Sequence, residues 1–380
     1  MDITILQNWF TSYKETSLSG RYITLDHIIP LLTQLSSKTK IEKIGFSENN
    51  APIHLITIGN GPKKLLFWSQ MHGNESTTTK AVFDLLNLLT DSSNKLTEQI
   101  LEECTLYIIP ILSPDGAKAY TRLNYQNVDL NRDAQEKTQK ESTVFFNLYT
   151  EIKPDYAFNL HGQRTIFGAG ESNNSATVSF LSPAGDNNRS ITESRKVAME
   201  IIVEMNSVLQ KCIPNKIGRY DDSFNLNCVG DTLASLEIPT ILFEAGHTPD
   251  DYDREITREY IFYSLVTSIK YISDTDVTGE RYKDYFLIPE NKKCFYDIII
   301  RDVILEGENV DIAIQYKEIL IDNNVKFVPR VAEIGNLQKF YGHKEIIGKK
   351  RTIYNENVTV EIVPEAELLK FHLNSELFLV

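Results

Sequence analysis

The sequence predicts an α/β layered fold followed by a smaller, mostly β domain. Up to about Ser273, short apolar runs typical of strands alternate with segments whose apolar residues recur at helical spacing. Beyond that point the chain carries β-branched and alternating runs and no long helical repeat. We therefore divide the chain into residues 1–273 and 274–380, the second part being roughly 100 residues, a usual domain size.

The first part opens with two helical segments, Ile3–Tyr13 and Leu25–Leu35, and Thr24 is a suitable N-cap for the second. Three apolar strands and an amphipathic helix are expected next. The dipeptide Asn60-Gly61, between the second and third strands, is typical of a tight hairpin turn. The strands are Ile41–Phe46, Ile53–Ile58 and Lys64–Ser69, and the helix is Ser76–Leu89, with Ala81, Leu85, Leu88 and Leu89 on its apolar face.

The remaining elements follow from the same two periodicities. Further strands are predicted at Thr105–Ile111, Tyr156–Leu160 and Thr240–Phe243, with helices near Ser142–Ile152, Ile191–Leu209 and Arg254–Ile272. In the second part, the strand-like runs are Tyr296–Ile300, Val310–Tyr316, Ile319–Phe327 and Val358–Ile362.

Composition excludes several classes of protein. Hydrophobic residues make up 42% and charged residues 24% of the chain, as in an ordinary globular protein. A net charge of −13 argues against a nucleic-acid partner or an acidic membrane surface, since a negative field repels phosphates. The four cysteines are scattered and are expected to be free thiols. Neither a signal peptide nor a run of ~20 apolar residues is visible, so we expect a cytoplasmic protein.

Two histidine-glycine pairs stand directly after predicted strands, where the functional residues of open α/β sheets collect. In Met71-His72-Gly73-Asn74-Glu75, a histidine and a glutamate can close on one cation across a glycine. His161, after the strand Tyr156–Leu160, also precedes a glycine. Each histidine alone is more often a core or loop residue. Together with Glu75 they supply the two-histidine, one-glutamate set that catalytic zinc commonly uses, with a fourth position left for water.

Two further groups of polar residues suit the same chemistry. Glu244 follows the apolar strand Thr240–Phe243, where a carboxylate serves as an N-cap, an ion-pair partner or a general base facing a metal-bound water. Arg122 and the segment Asp129-Leu130-Asn131-Arg132 lie in one loop region. Their guanidinium groups suit an anion or carbonyl clamp, although such a segment taken alone is more often a solvated loop. Glycine-rich nucleotide loops, the G-x-S-x-G elbow and H-E-x-x-H are absent from the sequence.

Taken together, these motifs resemble those of the zinc carboxypeptidase superfamily, the carboxypeptidase A/B-like metallopeptidases. The matching residues occur in the family's order over roughly residues 40–272: His72-x-x-Glu75, Pro114-Asp115-Gly116, Asp129-Leu130-Asn131-Arg132, His161 and Glu244. The resemblance implies a carboxypeptidase-like α/β/α architecture, with a mixed, mainly parallel sheet flanked by helices. The small C-terminal β domain would be an addition to it.

For the metal centre, the resemblance implies that His72, Glu75 and His161 bind one zinc ion per chain. Asp129 would accept a hydrogen bond from His72 and so orient its imidazole, which is the usual support of a metal-bound histidine.

For the substrate, the resemblance implies that Asn131 and Arg132 bind a terminal carboxylate and that Arg122 stabilises the developing oxyanion. Glu244 would act as the general base on the zinc-activated water. Tyr220 is the best match to the family's mobile active-site tyrosine.

Three functions stay open at this point. The first is a metallocarboxypeptidase that removes a C-terminal residue from peptides, cell-wall peptides included. The second is a hydrolase of N-acyl amino acids, because His-Gly-Asn-Glu followed by Asp-Leu-Asn-Arg also resembles the aspartoacylase and succinylglutamate desuccinylase branch, which often carries a C-terminal β domain. The third is a binding protein without activity. In the first two the partner is a peptide or N-acyl amino acid with a free carboxylate.

Overall fold

The computed structural model of the chain describes residues 1–356 and 361–380, and it confirms a mixed α/β architecture with an additional C-terminal β domain. The helices are α1 Ile3–Tyr13, α2 Leu25–Leu35, α3 Thr77–Leu89, α4 Lys95–Glu103, α5 Pro114–Ala119, α6 Lys140–Ile152, α7 Glu193–Leu209, α8 Val229–Ser235 and α9 Glu255–Asp274. The strands of the first part are β1 Lys40–Phe46, β2 Pro52–Ile58, β3 Lys63–Ser69, β4 Cys104–Ile109, β5 Tyr156–Gly162, β6 Phe167–Ala169, β7 Val178–Leu181, β8 Ile217–Arg219 and β9 Thr240–Ala245. Those of the second part are β10 Asn291–Lys293, β11 Phe295–Leu305, β12 Glu308–Ile321, β13 Asn324–Gly335, β14 Tyr341–Asn355, β15 Lys370–Leu373 and β16 Glu376–Leu379.

The central sheet of the described residues has eight strands in the order β1-β2-β4-β3-β5-β9-β7-β8. Its middle strands β4, β3, β5 and β9 are mutually parallel, whereas β2 and β7 run antiparallel to them. The carboxyl ends of the parallel strands therefore meet at one edge of the sheet. The predicted mixed, mainly parallel sheet is confirmed.

Strand β3 shows how the sheet holds two helical layers. Leu65 and Phe67 belong to the core beneath α1, α2, α3, α7 and α9, while Leu66 and Trp68 belong to the core beneath α6 and α8. Successive side chains of a strand point to opposite faces, so a continuous apolar run is buried on both. This burial on two sides makes an α/β/α sandwich.

Helix α3 is buried almost all round, although we predicted an amphipathic helix with one apolar face. Its polar side chains are satisfied by buried partners instead of water. Asp84 forms a two-point ion pair with Arg258 of α9, and both side chains are fully buried. Lys80 donates to the backbone oxygens of Gly20 and Asp253 and pairs with Glu255. These contacts fix the N-terminal segment against α3 and α9.

The C-terminal strands form a separate sheet in the order β13-β12-β11-β14-β15-β16. It packs on the first part through polar contacts: Asp297 accepts from the Tyr252 hydroxyl at 3.0 Å, and His343 Nε2 lies 2.8 Å from the oxygen of Thr165. Strand β10 also pairs with β6 of the first part. Helix α9 continues to Asp274, one residue past our boundary at 273, and the division into 1–273 and 274–380 stays a prediction.

Two local predictions were wrong. The Asn60-Gly61 segment does connect β2 to β3, but the two strands do not form a hairpin, because β4 lies between them in the sheet. The predicted strand Ile319–Phe327 is broken by a turn at Asp322-Asn323, both at positive φ, between β12 and β13. Most of the predicted strand Val358–Ile362 lies outside the described residues. Among those that are described, no helix is long and apolar enough to cross a bilayer.

Candidate functional site

The two predicted histidine ligands lie at the carboxyl ends of neighbouring parallel strands. His72 follows β3, His161 is the penultimate residue of β5, and β3 and β5 are paired in parallel. Gly73 packs directly against the backbone of Gly116, so a Cβ at position 73 would lie 1.9 Å from the carbonyl carbon of Gly116. A glycine is therefore required between the ligands His72 and Glu75.

The ligand atoms of His72, Glu75 and His161 converge on one point. His72 Nδ1 lies 2.8 Å from Glu75 Oε1 and 3.1 Å from His161 Nδ1, and His161 Nδ1 lies 2.9 Å from Glu75 Oε2. Nitrogen and oxygen ligands about 2.0–2.1 Å from a tetrahedral zinc ion lie about 3.3 Å apart, close to these separations. The three side chains fit a single zinc ion.

Asp129 contacts the other nitrogen of the His72 ring. The Nε2 atom of His72 donates to Asp129 Oδ1 at 3.1 Å, which leaves Nδ1 to face Glu75 and His161. Burial alone would lower the pKa of His72, but the charge of Glu75 and the hydrogen bonds of both carboxylates raise it to about 9. Burial opposes ionisation of Glu75 too, yet His72 and His161 hold the pKa of Glu75 well below its usual value. A site that retains a proton this strongly also favours a metal cation.

Glu244 lies beside this centre, one strand away. It belongs to β9, whose register places Glu244 directly opposite His161 of β5. The side chain is 9% exposed, and its Oε2 atom is buried with no hydrogen-bond partner among the described residues. Burial, and next the negative charge of Glu75, raise the pKa of Glu244 well above its ordinary value.

The predicted clamp residues divide between the cleft and the loop framework. Arg122 donates to Asp129 Oδ2 at 3.0 Å and lies 3.5 Å from Glu75 Oε1. Arg132 is exposed, donates to its neighbour's backbone and to the sulfur of Cys228, and has no carboxylate partner among the described residues.

The two polar neighbours Asn124 and Asp133 are framework residues. Asn124 bonds to Gln139, and Asp133 accepts from the backbone of Thr138 and Gln139 just before α6. Asn131 belongs to the framework and to the cleft. Its Oδ1 atom accepts a hydrogen bond from the backbone nitrogen of Val229, and the residue also lines the cleft.

A sequence model of the zinc carboxypeptidase family matches residues 25–205, the segment that contains the three converging side chains and the Arg122–Arg132 loop. Over this segment the chain is similar to the zinc carboxypeptidases. The predicted resemblance is thereby confirmed. Glu244 and Tyr220 lie beyond the matched segment.

A curated relative of the zinc carboxypeptidase segment is Carboxypeptidase SOL1 of Arabidopsis thaliana. It is 26% identical over 167 residues, which are 38% of this chain and 34% of the relative. The match therefore spans about a third of that protein's length.

Solved structures of metallocarboxypeptidases share the fold. The enzyme from Burkholderia cenocepacia superposes with a TM-score of 0.55 at 17% identity and covers 66% of this chain and 69% of its own. Carboxypeptidase A from Helicoverpa armigera gives a TM-score of 0.53 at 14% identity over 74% and 81% of the two chains. A Pseudomonas aeruginosa metallocarboxypeptidase, solved with (2-guanidinoethylmercapto)succinic acid, gives 0.53 at 15% identity over 66% and 69%. At these identities the likeness concerns the fold.

Two cavities meet at the converging side chains, and Arg122, Tyr220 and Glu244 line both. Tyr220 follows β8 and packs against the ring of Phe167 at a centroid distance of 5.3 Å. Tyr220 thus forms part of the wall of the cleft.

The first cavity, which we call the Asp231 cavity, has a volume of about 410 Å³ and also contains Asn131 and Arg132. At its floor, both side-chain atoms of Asn159 are buried without a partner among the described residues. Burial raises the pKa of Asp231 to about 6. This cavity is polar at its base.

The second cavity, which we call the Arg254 cavity, has a volume of about 460 Å³. The N-terminal segment contributes Arg21, the loop before α9 contributes Arg254, and β12 of the C-terminal sheet contributes Tyr316 and Glu318. The C-terminal domain therefore forms one wall of the cleft.

The sequence analysis missed the side chains that line these cavities. Asn159 could have been found, because it lies two residues before His161 on β5 and so points to the same side of the sheet. Arg21, Arg254 and Glu318 carry no local signal. They are distant in sequence and meet only through tertiary packing.

Proposed function

We propose that the protein is a zinc-dependent metallocarboxypeptidase that removes the C-terminal residue of a peptide. One observation carries the proposal: a single cleft contains three converging side chains that suit a metal, the buried carboxylate of Glu244, and the guanidinium of Arg132, which has no carboxylate partner among the described residues. The family match and the shared fold support peptidase activity of this class.

The metal would be held by His72, Glu75 and His161, with Asp129 fixing the His72 ring through its Nε2 proton. Zinc bound there supplies Lewis acidity, polarising a carbonyl oxygen and lowering the pKa of water towards about 7. The chain's own residues perform the remaining steps.

Glu244 would move the proton. Its unpartnered Oε2 atom lies in both cavities' common wall, opposite His161, where it can take a proton from the attacking water and deliver it to the leaving amine. Tyr220 stands in the same wall and would close over the bound substrate.

Arg132 and Asn131 would bind the terminal carboxylate, since the guanidinium of Arg132 has no carboxylate partner among the described residues and suits a two-point contact with one. Arg122, anchored on Asp129 beside Glu75, would donate to the scissile carbonyl oxygen as negative charge develops on it. The terminal side chain would then enter the Asp231 cavity. Asn159 and Asp231 favour a side chain that carries hydrogen-bond donors.

A second candidate is hydrolysis of N-acyl amino acids. The same clamp would hold the carboxylate of such a substrate, and the cationic Arg254 cavity can accept a charged acyl group. Rates on a blocked dipeptide compared with N-acetyl and N-succinyl amino acids distinguish the two candidates.

The test of the mechanism combines elemental analysis with a Glu244→Gln variant. We expect one zinc per chain in both proteins and hydrolysis of a blocked dipeptide in the wild type alone, because the amide cannot accept the water's proton. Glu308→Gln, an exposed position at the start of β12, is the matched control and should retain full activity. Equal activity in the wild type and Glu244→Gln, or purified protein without zinc affinity, would contradict the proposal.

A further inference from the structure

Arg254 is a buried guanidinium with no ion pair. It is 3% exposed, and among residues 1–356 and 361–380 no carboxylate lies within ion-pair distance of it. Its one hydrogen bond runs from Nη1 to the backbone oxygen of Ala245, and its Nε atom is buried without a partner. Buried charges are normally paired, because removing a charge from water is costly. An unpaired one that lines a cavity therefore points to a missing anion.

The nearby carboxylates are already engaged. Asp251 accepts three backbone N–H groups at the start of α9, from Glu255, Ile256 and Thr257. Glu318 pairs with Arg21 at 3.1 Å and accepts from the hydroxyl of Tyr120.

The buried guanidinium groups of Arg21 and Arg254 thus share one neighbouring carboxylate, that of Glu318. Arg21 has a buried Nε atom without a partner as well. Two further carboxylates interact electrostatically with Arg254: Glu75, which contacts the two histidines of the metal centre, and Glu244, which precedes Ala245. The lining of the cavity contains five arginine and lysine side chains and three glutamates, so positive charge is in excess there.

The position of Arg254 relates this charge to the scissile bond. Ala245, to which Arg254 donates, directly follows Glu244. Arg254 lines only the Arg254 cavity, Arg132 lines only the Asp231 cavity, and Glu244 lines both. A substrate with its terminal carboxylate on Arg132 and its amide at the metal centre would extend its acyl part towards Arg254.

We propose that the Arg254 cavity binds a second carboxylate, carried on the acyl side of the scissile amide. The inference rests on the proposed function and names its substrate class: an amide with one carboxylate on each side of the bond. That carboxylate can come from an acidic residue before the C-terminal residue of a peptide or from a dicarboxylic acyl group such as succinyl. Arg254 and Arg21 would bind it through their free N–H groups.

Isosteric substrates test the proposal. We would measure kcat/KM for an N-acetyl dipeptide with Glu before the C-terminal residue and for the same dipeptide with Gln. A second pair, an N-succinyl amino acid and its neutral succinamoyl analogue, separates the two sources. The acidic member of one pair should be preferred roughly tenfold or more, the value of a charge-assisted hydrogen bond.

Three variants separate binding from structure. Arg254→Met should remove the preference by slowing the acidic substrate selectively, whereas a purely structural role would slow both members equally. Glu318→Gln removes the competing carboxylate and should raise the preference severalfold, a direction that general damage to the fold would not produce. Arg164→Gln, an exposed cation at the same cavity, should change the preference less than about twofold, since an exposed charge is screened.

The inference and the proposed function can fail separately. Equal rates on acidic and neutral substrates would overturn the inference and leave the peptidase intact. If no substrate is hydrolysed, the proposed function fails. The inference is then decided by calorimetry, which compares the binding of N-acetylglutamate with that of N-acetylglutamine. Both ligands are measured with the wild type and with Arg254→Met. Tighter binding of the acid by the wild type alone supports it, and equal binding overturns it.

Discussion

At the scale of single residues, polar side chains are buried in this cleft with fewer partners than they could use. Asn159 keeps both side-chain atoms unpaired, and Asp231 is 8% exposed with Arg132 and the Cys228 thiol as its charged and polar neighbours. Such positions cost folding free energy and are retained where a ligand uses them.

The Asp231 carboxyl should make stability fall as pH rises. Burial raises its pKa to about 6, whereas an unfolded aspartate titrates near 3.9. The folded state therefore binds the proton more tightly, and the stabilisation present below about pH 4 is lost as pH rises through 6. We expect Asp231→Asn to gain about 2 °C or more in Tm relative to wild type between pH 4.5 and pH 7.5, measured by differential scanning fluorimetry.

The exposed carboxylate Asp284 provides the control for this comparison. Asp284→Asn should keep a constant difference in Tm from wild type across the same range. A constant difference for Asp231→Asn would show that its carboxyl is ionised in the folded protein throughout.

At the scale of secondary-structure elements, α3 and α9 are joined by an ion pair whose two side chains are fully buried. Arg258 binds both oxygens of Asp84 at 2.6 and 2.7 Å and also donates to the backbone oxygens of Glu15 and Leu18. The pair thereby fixes the segment that leads to Arg21, so helix packing and the Arg254 cavity depend on the same contacts.

Asp84→Leu should destabilise the protein by about 3–5 kcal/mol, because it removes the fully buried counter-charge of Arg258 and leaves that guanidinium only its ion pair with the more exposed Glu255. The double variant Asp84→Leu, Arg258→Met should recover a large part of this loss, since it removes both charges. Urea unfolding followed by circular dichroism measures the free energy of unfolding of each. If the double variant lost the sum of the two single effects, the pair would not be coupled.

Much of the fold could be predicted at this scale, since the period of apolar residues identifies long helices and buried strands. The dipeptide Asn60-Gly61 marks a turn, but turn chemistry does not say which strands pair, and the tertiary insertion of β4 decided that. The turn at Asp322-Asn323 did carry a local signal, because both residues readily adopt positive φ, and the β-branched residues around it obscured it.

The candidate site divides in the same way. Its strand-end residues, from His72 to Glu244, were visible in sequence because motif and strand end coincide. The cavity walls were not visible, because Arg21, Arg254 and Glu318 come from three distant segments.

At the scale of the whole molecule, the two parts are connected through buried polar contacts. Glu318 joins Arg21 and Tyr120, and Asp297 joins Tyr252. Separating the two parts would leave these buried polar groups without their hydrogen-bond and ion-pair partners. We therefore expect the two parts to unfold together in one step.

Differential scanning calorimetry should therefore show one transition for the full chain. Removing metal with a chelator should lower its Tm as a single peak, and zinc in excess should restore it, because a ligand that binds the folded state alone stabilises it in proportion to RT ln(1 + [L]/Kd). A His161→Ala variant should lose the zinc-dependent shift. Two resolved peaks, with zinc moving one of them, would show instead that the parts unfold separately.

The contribution of Glu318 to the cleft also bears on how the protein is made. Domains generally fold in order as the chain leaves the ribosome, N-terminal part first. The predicted metal ligands and the residues predicted to bind the terminal carboxylate all precede position 245, yet one wall of the cleft is supplied by β12. A nascent chain can thus bring its predicted metal ligands together while this side of the cleft is still open to solvent, and the wall is completed only after β12 has left the ribosome and packed against the first part.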